Sequence, residues 1–503
     1  MGQAGTYRSV TEQLAEIMRP RLIGRVSGVS GLIVEGPAPG AAIGDRFDVV
    51  TRGGGAVPAE VVGLRGRTAL LMALGQLGGV GVGGDLVPRP GRETYRCSDA
   101  LLGRVIDGLG RPLDGRPLES QGVPRPIHGT PPPALGRKPV RERLEVGIRC
   151  IDALVPVGRG QRLGIFAGAG LGKSTLLGMI LRHASVDNCV LALVGERGRE
   201  VGEFVRGTLG AEGLARSTVV VATSDQPPLV RARAALLATT IAEHYRELGR
   251  HVLLVMDSLT RYSTALREIG LSAGEPPATR GFPPSVFAAL PRLLERAGND
   301  AGTGTLTGIY SVLVEGDDMT EPVADAVRAI LDGHLVLSRD QANRGLYPAV
   351  DPLQSISRVM PDVSTPRHQE AARAVRDALA AHREAQDLIS IGAYVAGTNP
   401  RVDAALTVLP EIEELIRQPI DDHPEPGSAI EALAAVAARY VQAVQRAATG
   451  PDRAAEPSRS FIASTGRASY APPGRVDETK SRTLARGSSK RSPVERLDHG
   501  ESA

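Results

Sequence analysis

The stretch that decides the fold is Phe166 to Thr175, FAGAGLGKST. A phosphate loop follows the pattern Gly, four residues, then Gly-Lys-Ser/Thr. Here the closing half, Gly172-Lys173-Ser174, is intact, and Ala167 stands at the opening position. Gly168 and Gly170 still give the backbone freedom to curl around an anion. The apolar run LGIF reads as a strand entering the loop, and STLLGMILRHA reads as a helix leaving it. Loop amides and a helix N-terminus then face one point, an arrangement that favours phosphate. On this reading Gly168, Ala169, Gly170, Leu171, Gly172 and Thr175 lend backbone N–H groups to a bound nucleoside triphosphate. Lys173 pairs with its β and γ phosphates, and the Ser174 hydroxyl coordinates Mg2+.

A phosphate loop alone does not imply hydrolysis, so the neighbouring strands matter. Candidate strands start at Arg162 (RLGIFA), Val190 (VLALVG), Thr218 (TVVVAT), His251 (HVLLVMD) and Gly308 (GIYSVLVEG), with helical segments between them. Alternation of this kind predicts a parallel α/β sheet, and the near-continuous apolar character predicts helices on both faces. Asp257 ends one of these strands, where a carboxylate on the Mg2+ side belongs. Glu196 leaves another at the carboxyl edge, the ligand-binding edge of open α/β sheets, and is the candidate general base. Arg197 beside it is placed to offset γ-phosphate charge. Farther on, GLYPAVDPLQSISRVM holds Tyr347, which could offer an aromatic face to adenine. It also holds Arg358, which could reach a neighbouring subunit's phosphate, an effect worth about 10³ to 10⁵ in rate.

Outward from this core the chain changes character. Residues 1–20 place Leu14, Ile17 and Met18 at helical spacing, as expected of a short amphipathic helix that either packs on its own domain or docks a partner. Residues 21–95 show short strands broken by glycine and predict a small β-barrel. Asp107-Gly108 and Asp114-Gly115 read as tight turns at its boundary. The α/β nucleotide-binding domain is expected over 96–365, with a proline-rich linker from Val123 to Pro139. Residues 366–449 follow as a C-terminal helical domain, with Ala371, Val375, Ala378 and Leu379 on one face. The tail, 450–503, is rich in Ser, Pro, Arg and Gly and is expected to be disordered.

Composition excludes several classes. The 503 residues are 42% hydrophobic and 23% charged, a globular balance, and the net charge of +3 gives no reason to expect nucleic acid as the main partner. The barrel region reinforces this, because Phe47 is its sole aromatic between Arg21 and Pro90. Cys97, Cys150 and Cys189 lie far apart with no CxxC spacing, which fits buried thiols in a reducing compartment. Neither a secretory leader nor an apolar run of bilayer length is expected, so the chain reads as cytosolic.

Five stretches together carry a family resemblance: RCIDALVPVGRGQRLGIFAGAGLGKSTLL, GERGREVGEF, DSLTRYSTALREIGLSAGEPPATRGFPPSVFAALPRLLERAG, VLVEGDDMTEPVADAVRAILDGH and YPAVDPLQSISRVM. Over roughly 21–446 the chain resembles the ATPases of type III protein export, and DLISIGAYVAGTNPRVDAAL resembles the flagellar branch. Relatives include injectisome ATPases and the catalytic subunit of rotary ATP synthases, and these remain the alternatives. The resemblance implies a RecA-like P-loop NTPase core between the barrel and the helices. It also implies Lys173 and Ser174 at the phosphates and Mg2+, Glu196 as base with Arg197 nearby, and Asp257 on the metal side. Tyr347 is implied against adenine, with Arg358 as a finger in the adjacent protomer of a homohexamer. Further implied are a stalk-like regulatory partner at the N-terminal segment, an export gate of membrane proteins, chaperones and export substrates. The place of work is then the cytoplasmic side of the cell membrane, peripheral to it.

Overall fold

A computed structural model describes residues 23–449, apart from 90, 92, 120, 315 and 317. The N-terminal segment 1–20 and the tail 450–503 lie outside the described residues. Glycine punctuation breaks the first part into seven short antiparallel strands: β1 (Gly24–Arg25), β2 (Gly28–Ser30), β3 (Ile33–Pro37), β4 (Arg46–Val50), β5 (Ala56–Arg65), β6 (Thr68–Ala73) and β7 (Asp85–Arg89). Their order is β1-β7-β4-β5-β6-β3-β2. The two ends of that order belong to one bent segment. Val26 N donates to Gly84 O at 2.8 Å on one side, and Ser27 N donates to Glu35 O at 2.7 Å on the other. The sheet therefore curls until its ends meet, as the barrel reading expects. Glycine is needed at the meeting point: a Cβ on Gly24 would fall 2.2 Å from the Pro37 carbonyl oxygen, and one on Gly36 would fall 2.3 Å from that of Arg25. Val34, Phe47, Val49, Val61, Leu71 and Leu86 fill the inside.

Two short ladders join this sheet to the next. β8 (Thr94–Cys97) pairs with β10 (Val123–Pro126), so the proline-rich linker begins as a strand. β11 (Arg143–Leu144) pairs with β12 (Val157–Gly158). The intervening β9 (Arg104–Asp107) adds to the edge of the central sheet. The turn after it holds as expected: Asp107 Oδ1 accepts the N–H of Leu109 at 2.9 Å and of Arg111 at 2.8 Å.

The central sheet adds β13 (Arg162–Ala167), β14 (Asn188–Val194), β15 (Ser217–Ala222), β16 (His251–Asp257), β17 (Thr305–Leu313), β18 (Gly333–Leu337) and β19 (Ile356–Ser357). Its order is β19-β18-β13-β17-β16-β14-β15-β9, parallel except for the β18–β19 pair. Alternate residues face opposite sides, and both sides are dry. Leu191, Leu193, Leu253 and Val255 pack toward the helix that follows the phosphate loop and toward the C-terminal helices. Val190, Ala192, Leu254 and Met256 pack toward the helices Pro228–Glu247 and Leu259–Ser272.

Three helices close the described chain, Pro366–Ser390, Pro400–Ile416 and Ser428–Thr449. Ala371, Val375 and Ala378 are buried as the helical spacing predicts, and Leu379 is partly buried beside them. Among the described residues no helix is long and apolar enough to cross a membrane.

Candidate nucleotide site

β13 lies inside the sheet between β17 and β18 and ends at Ala167. The chain then turns through Gly168–Gly172 into the helix Lys173–His183. Gly170 and Gly172 both have φ +79°, left-handed values that a side chain would strain. Leu171 is buried and pins the loop, while Ala169, Gly170 and Ser174 are exposed at its mouth. Tyr347 sits over the loop: a Cβ on Gly172 would lie 3.6 Å from two carbons of its ring.

Two strands away, Asp257 closes β16 at 3% exposure. The Lys173 ammonium pairs with its Oδ1. Ser311, on the intervening β17, donates its hydroxyl to the same oxygen at 2.6 Å. Sequence reading missed Ser311, although a serine set among Ile309, Val312 and Leu313 was a usable signal. Glu196 emerges after β14 through Gly195, φ +74°, where a Cβ would lie 2.9 Å from Arg261 Cβ. Burial, then the charge of Asp257, pushes the Glu196 carboxyl up to about 7 against the pull of Lys173 and Arg261. Arg197 is exposed and reaches Glu200 Oε1 at 3.4 Å. Ser174, Glu196, Glu200, Glu203, Thr208 and Asp257 share the wall of one cavity of about 160 Å³. A hydroxyl and carboxylates of this kind are hard oxygen donors, a set that suits Mg2+.

Arg358 is placed differently. Its N–H donates to Asp332 O at 3.0 Å, and Asp332 N donates to Arg162 O at 2.9 Å, so it stands level with the start of β13. The loop begins at the other end of that strand, five residues on, or roughly 16 Å away. The Arg358 side chain is exposed, and among the described residues no carboxylate pairs with it. The chain thus gathers Lys173, Ser174, Glu196, Asp257 and Tyr347 around one loop and leaves Arg358 at the far edge. Gln418, also missed, is buried where the C-terminal helices meet this region. Its N–H donates to Tyr347 O at 2.8 Å, its Oε1 accepts from Arg149 N at 2.8 Å, and its Nε2 donates to Gly147 O at 2.9 Å. Contacts 70 or more residues apart leave no local trace in a sequence.

A glycine loop between an interior parallel strand and a helix, with its lysine turned to an aspartate two strands away, defines a P-loop nucleotide-binding protein. Comparison with known proteins narrows the class. Residues 147–357 match the ATP synthase alpha/beta family, nucleotide-binding domain, and residues 364–435 match the T3SS EscN ATPase C-terminal domain. The flagellum-specific ATP synthase of Pseudomonas aeruginosa is 47% identical over 82% of this chain and 92% of its own, and that of Bacillus subtilis is 48% identical over 82% and 94%. The type 3 secretion system ATPase of Xanthomonas euvesicatoria is 43% identical over 85% and 97%. The solved structure of the assembled ATPase EscN from enteropathogenic E. coli superposes with a TM-score of 0.78 at 42% identity, over 82% of this chain and all of that one. The chain belongs to the flagellum-specific ATP synthase family, the flagellar branch of the type III export ATPases, and is an ATP-hydrolysing enzyme.

Proposed function

We propose that this chain is the Mg-ATP-driven motor of flagellar type III protein export, acting as a homohexameric ring in which each nucleotide is enclosed by two copies. The observation that carries the catalytic part is the shared cavity of Ser174, Glu196 and Asp257 at the mouth of the phosphate loop. The loop amides from Gly168 to Thr175 bind the triphosphate, and Lys173 turns from Asp257 to its oxygens. Ser174 and Asp257 hold Mg2+, which supplies charge neutralisation at the phosphates. Glu196 takes the proton of the attacking water, and burial suits its affinity for that role. Arg197, hinged at the base of the same segment, adds positive charge. Tyr347 covers the adenine. Arg358 cannot serve its own loop from the far edge of the sheet and acts on the neighbouring copy.

Ring formation is supported by EscN, solved as an assembled ATPase and also in complex with its central stalk EscO. For this chain we infer a stalk-like regulatory partner, with residues 1–20 as its docking segment. Export-gate membrane proteins, chaperones and export substrates follow from the family's role, with the enzyme at the cytoplasmic face of the cell membrane. An injectisome role is the second reading, because an injectisome enzyme, that of Xanthomonas, is a relative at 43% identity. Loss of flagella on deletion, with contact-dependent secretion intact, separates the two. For the chemistry, Glu196→Gln is expected to bind ATP as the wild type does and to hydrolyse it at least about 10²-fold more slowly. Normal hydrolysis by that variant overturns the assignment.

A further inference from the structure

The segment that carries Glu196 has little rigidity of its own. Between 198 and 215 it includes Gly198, Gly202, Gly207, Gly210 and Gly213. Glycine inside a helix is less favourable than alanine, because it gives up the most backbone freedom on ordering. Residues Phe204–Leu209 wind as a π-helix rather than an α-helix, a rare geometry that recurs at functional sites. The start of the segment is tied to the sheet, the Glu196 carbonyl accepting the N–H of Ser224 at 3.0 Å, and the turn beyond it has to be held by something outside the segment.

That contact is made on the phosphate-loop helix. Ser174, Gly178 and Arg182 are spaced by four residues and share one face of it. Ser174 lines the cavity, and Gly178 and Arg182 meet the π turn. A Cβ on Gly178 would lie 2.1 Å from Thr208 Cγ2, 3.3 Å from its Cβ and 3.4 Å from its carbonyl oxygen. Arg182 Nη1 donates to that carbonyl at 2.6 Å. Thr208 itself lines the cavity with Glu196 and Asp257. Turning the threonine so that its Hβ faces Gly178 would clear Cγ2, but the threonine Cβ and carbonyl oxygen, at 3.3 and 3.4 Å, stay tight against the added methyl in every rotamer. The turn as a whole has to move.

We infer that Gly178 is a positioning residue for ATP hydrolysis: the absence of its side chain seats the π turn at Thr208 on the phosphate-loop helix, and that seat sets where Glu196 stands relative to Ser174 and Asp257. The inference rests on Glu196 as the base. Gly178→Ala leaves the loop and its amides in place, and alanine is the better helix former, so nucleotide binding survives. The base-bearing segment is pushed outward, and a misplacement near 1 Å costs up to about 10²-fold in rate.

The test is steady-state ATP hydrolysis by the full chain. Gly178→Ala is expected to lower kcat about tenfold to a hundredfold, with KM within about twofold of wild type. Adding Thr208→Ser removes the colliding Cγ2 and is expected to restore most of kcat. Gly207→Ala, a helical glycine with nothing within 4 Å of the added methyl, is the control and is expected to change kcat less than about twofold. Wild-type kcat in Gly178→Ala, an equal loss in Gly207→Ala, or a double variant no better than the single overturns the inference. If Gly178→Ala does not fold, a folded, active double variant carries the same conclusion, and an unfolded or inactive one contradicts it. Inactive Glu196→Gln beside normal Gly178→Ala removes this inference alone, whereas active Glu196→Gln removes the base assignment beneath it.

Discussion

Lys173 and Asp257 meet inside the chain, with side chains only 11% and 4% exposed, while Arg358 stands exposed at the opposite end of the same sheet. The inner group is satisfied by the fold: an ammonium on a carboxylate, a serine hydroxyl on the same oxygen, and a glutamate wedged nearby. The outer group is left without a partner carboxylate among the described residues. Electrostatically, one chain carries a cradle that neutralises a triphosphate from one side and a cation presented away from that cradle. On the proposed reading the second side comes from another copy, and oligomerisation completes the site.

Three experiments break or sharpen this contrast. Arg358→Ala should fold and bind ATP normally yet lose about 10³-fold in kcat, because the missing charge acts mainly in the transition state. A loss confined to KM would instead make Arg358 an ordinary binding group. Next is pH. Glu196 must be deprotonated to act as base, and in the free enzyme its carboxyl is pushed up to about 7. Since kcat/KM reports ionisations of the free enzyme, it should fall about tenfold per unit below pH 7 and level off above it. Retention of full kcat/KM at pH 5 would place the inner group's base elsewhere. The smallest effect belongs to Tyr347, 45% exposed over the loop. Tyr347→Ala should raise KM for ATP about tenfold, in the range of base–aromatic stacking. Competition by inorganic tripolyphosphate, which has no base to stack, should be unchanged.

The inner group was largely legible in the sequence, because its parts are local. A glycine loop after an apolar run, an aspartate ending one strand and a glutamate ending another can each be read within ten residues. The short barrel strands were legible for the same reason, through the glycines between them. Sheet order was not: nothing near Phe166 indicates that β13 lies beside β17 and β18 rather than β14. β18 and β19 were missed because they are only five and two residues long. β9 was hidden by the turn that follows it. Ser311, Gln418 and the Gly178–Thr208 seat are contacts between distant residues, visible only once the chain is folded. The placement of Arg358 is the sharpest case. Its motif was readable, but that it lies a full strand length from its own loop depends on the antiparallel return of β19 along β18.

The most direct test of a site shared between copies is to mix Arg358→Ala with Glu196→Gln and assay ATP hydrolysis. Each variant alone should be nearly inactive, and the mixture should regain activity. An intact glutamate on one copy then meets an intact arginine on its neighbour. A mixture no more active than the sum of its parts, with ring formation verified, would contradict the account.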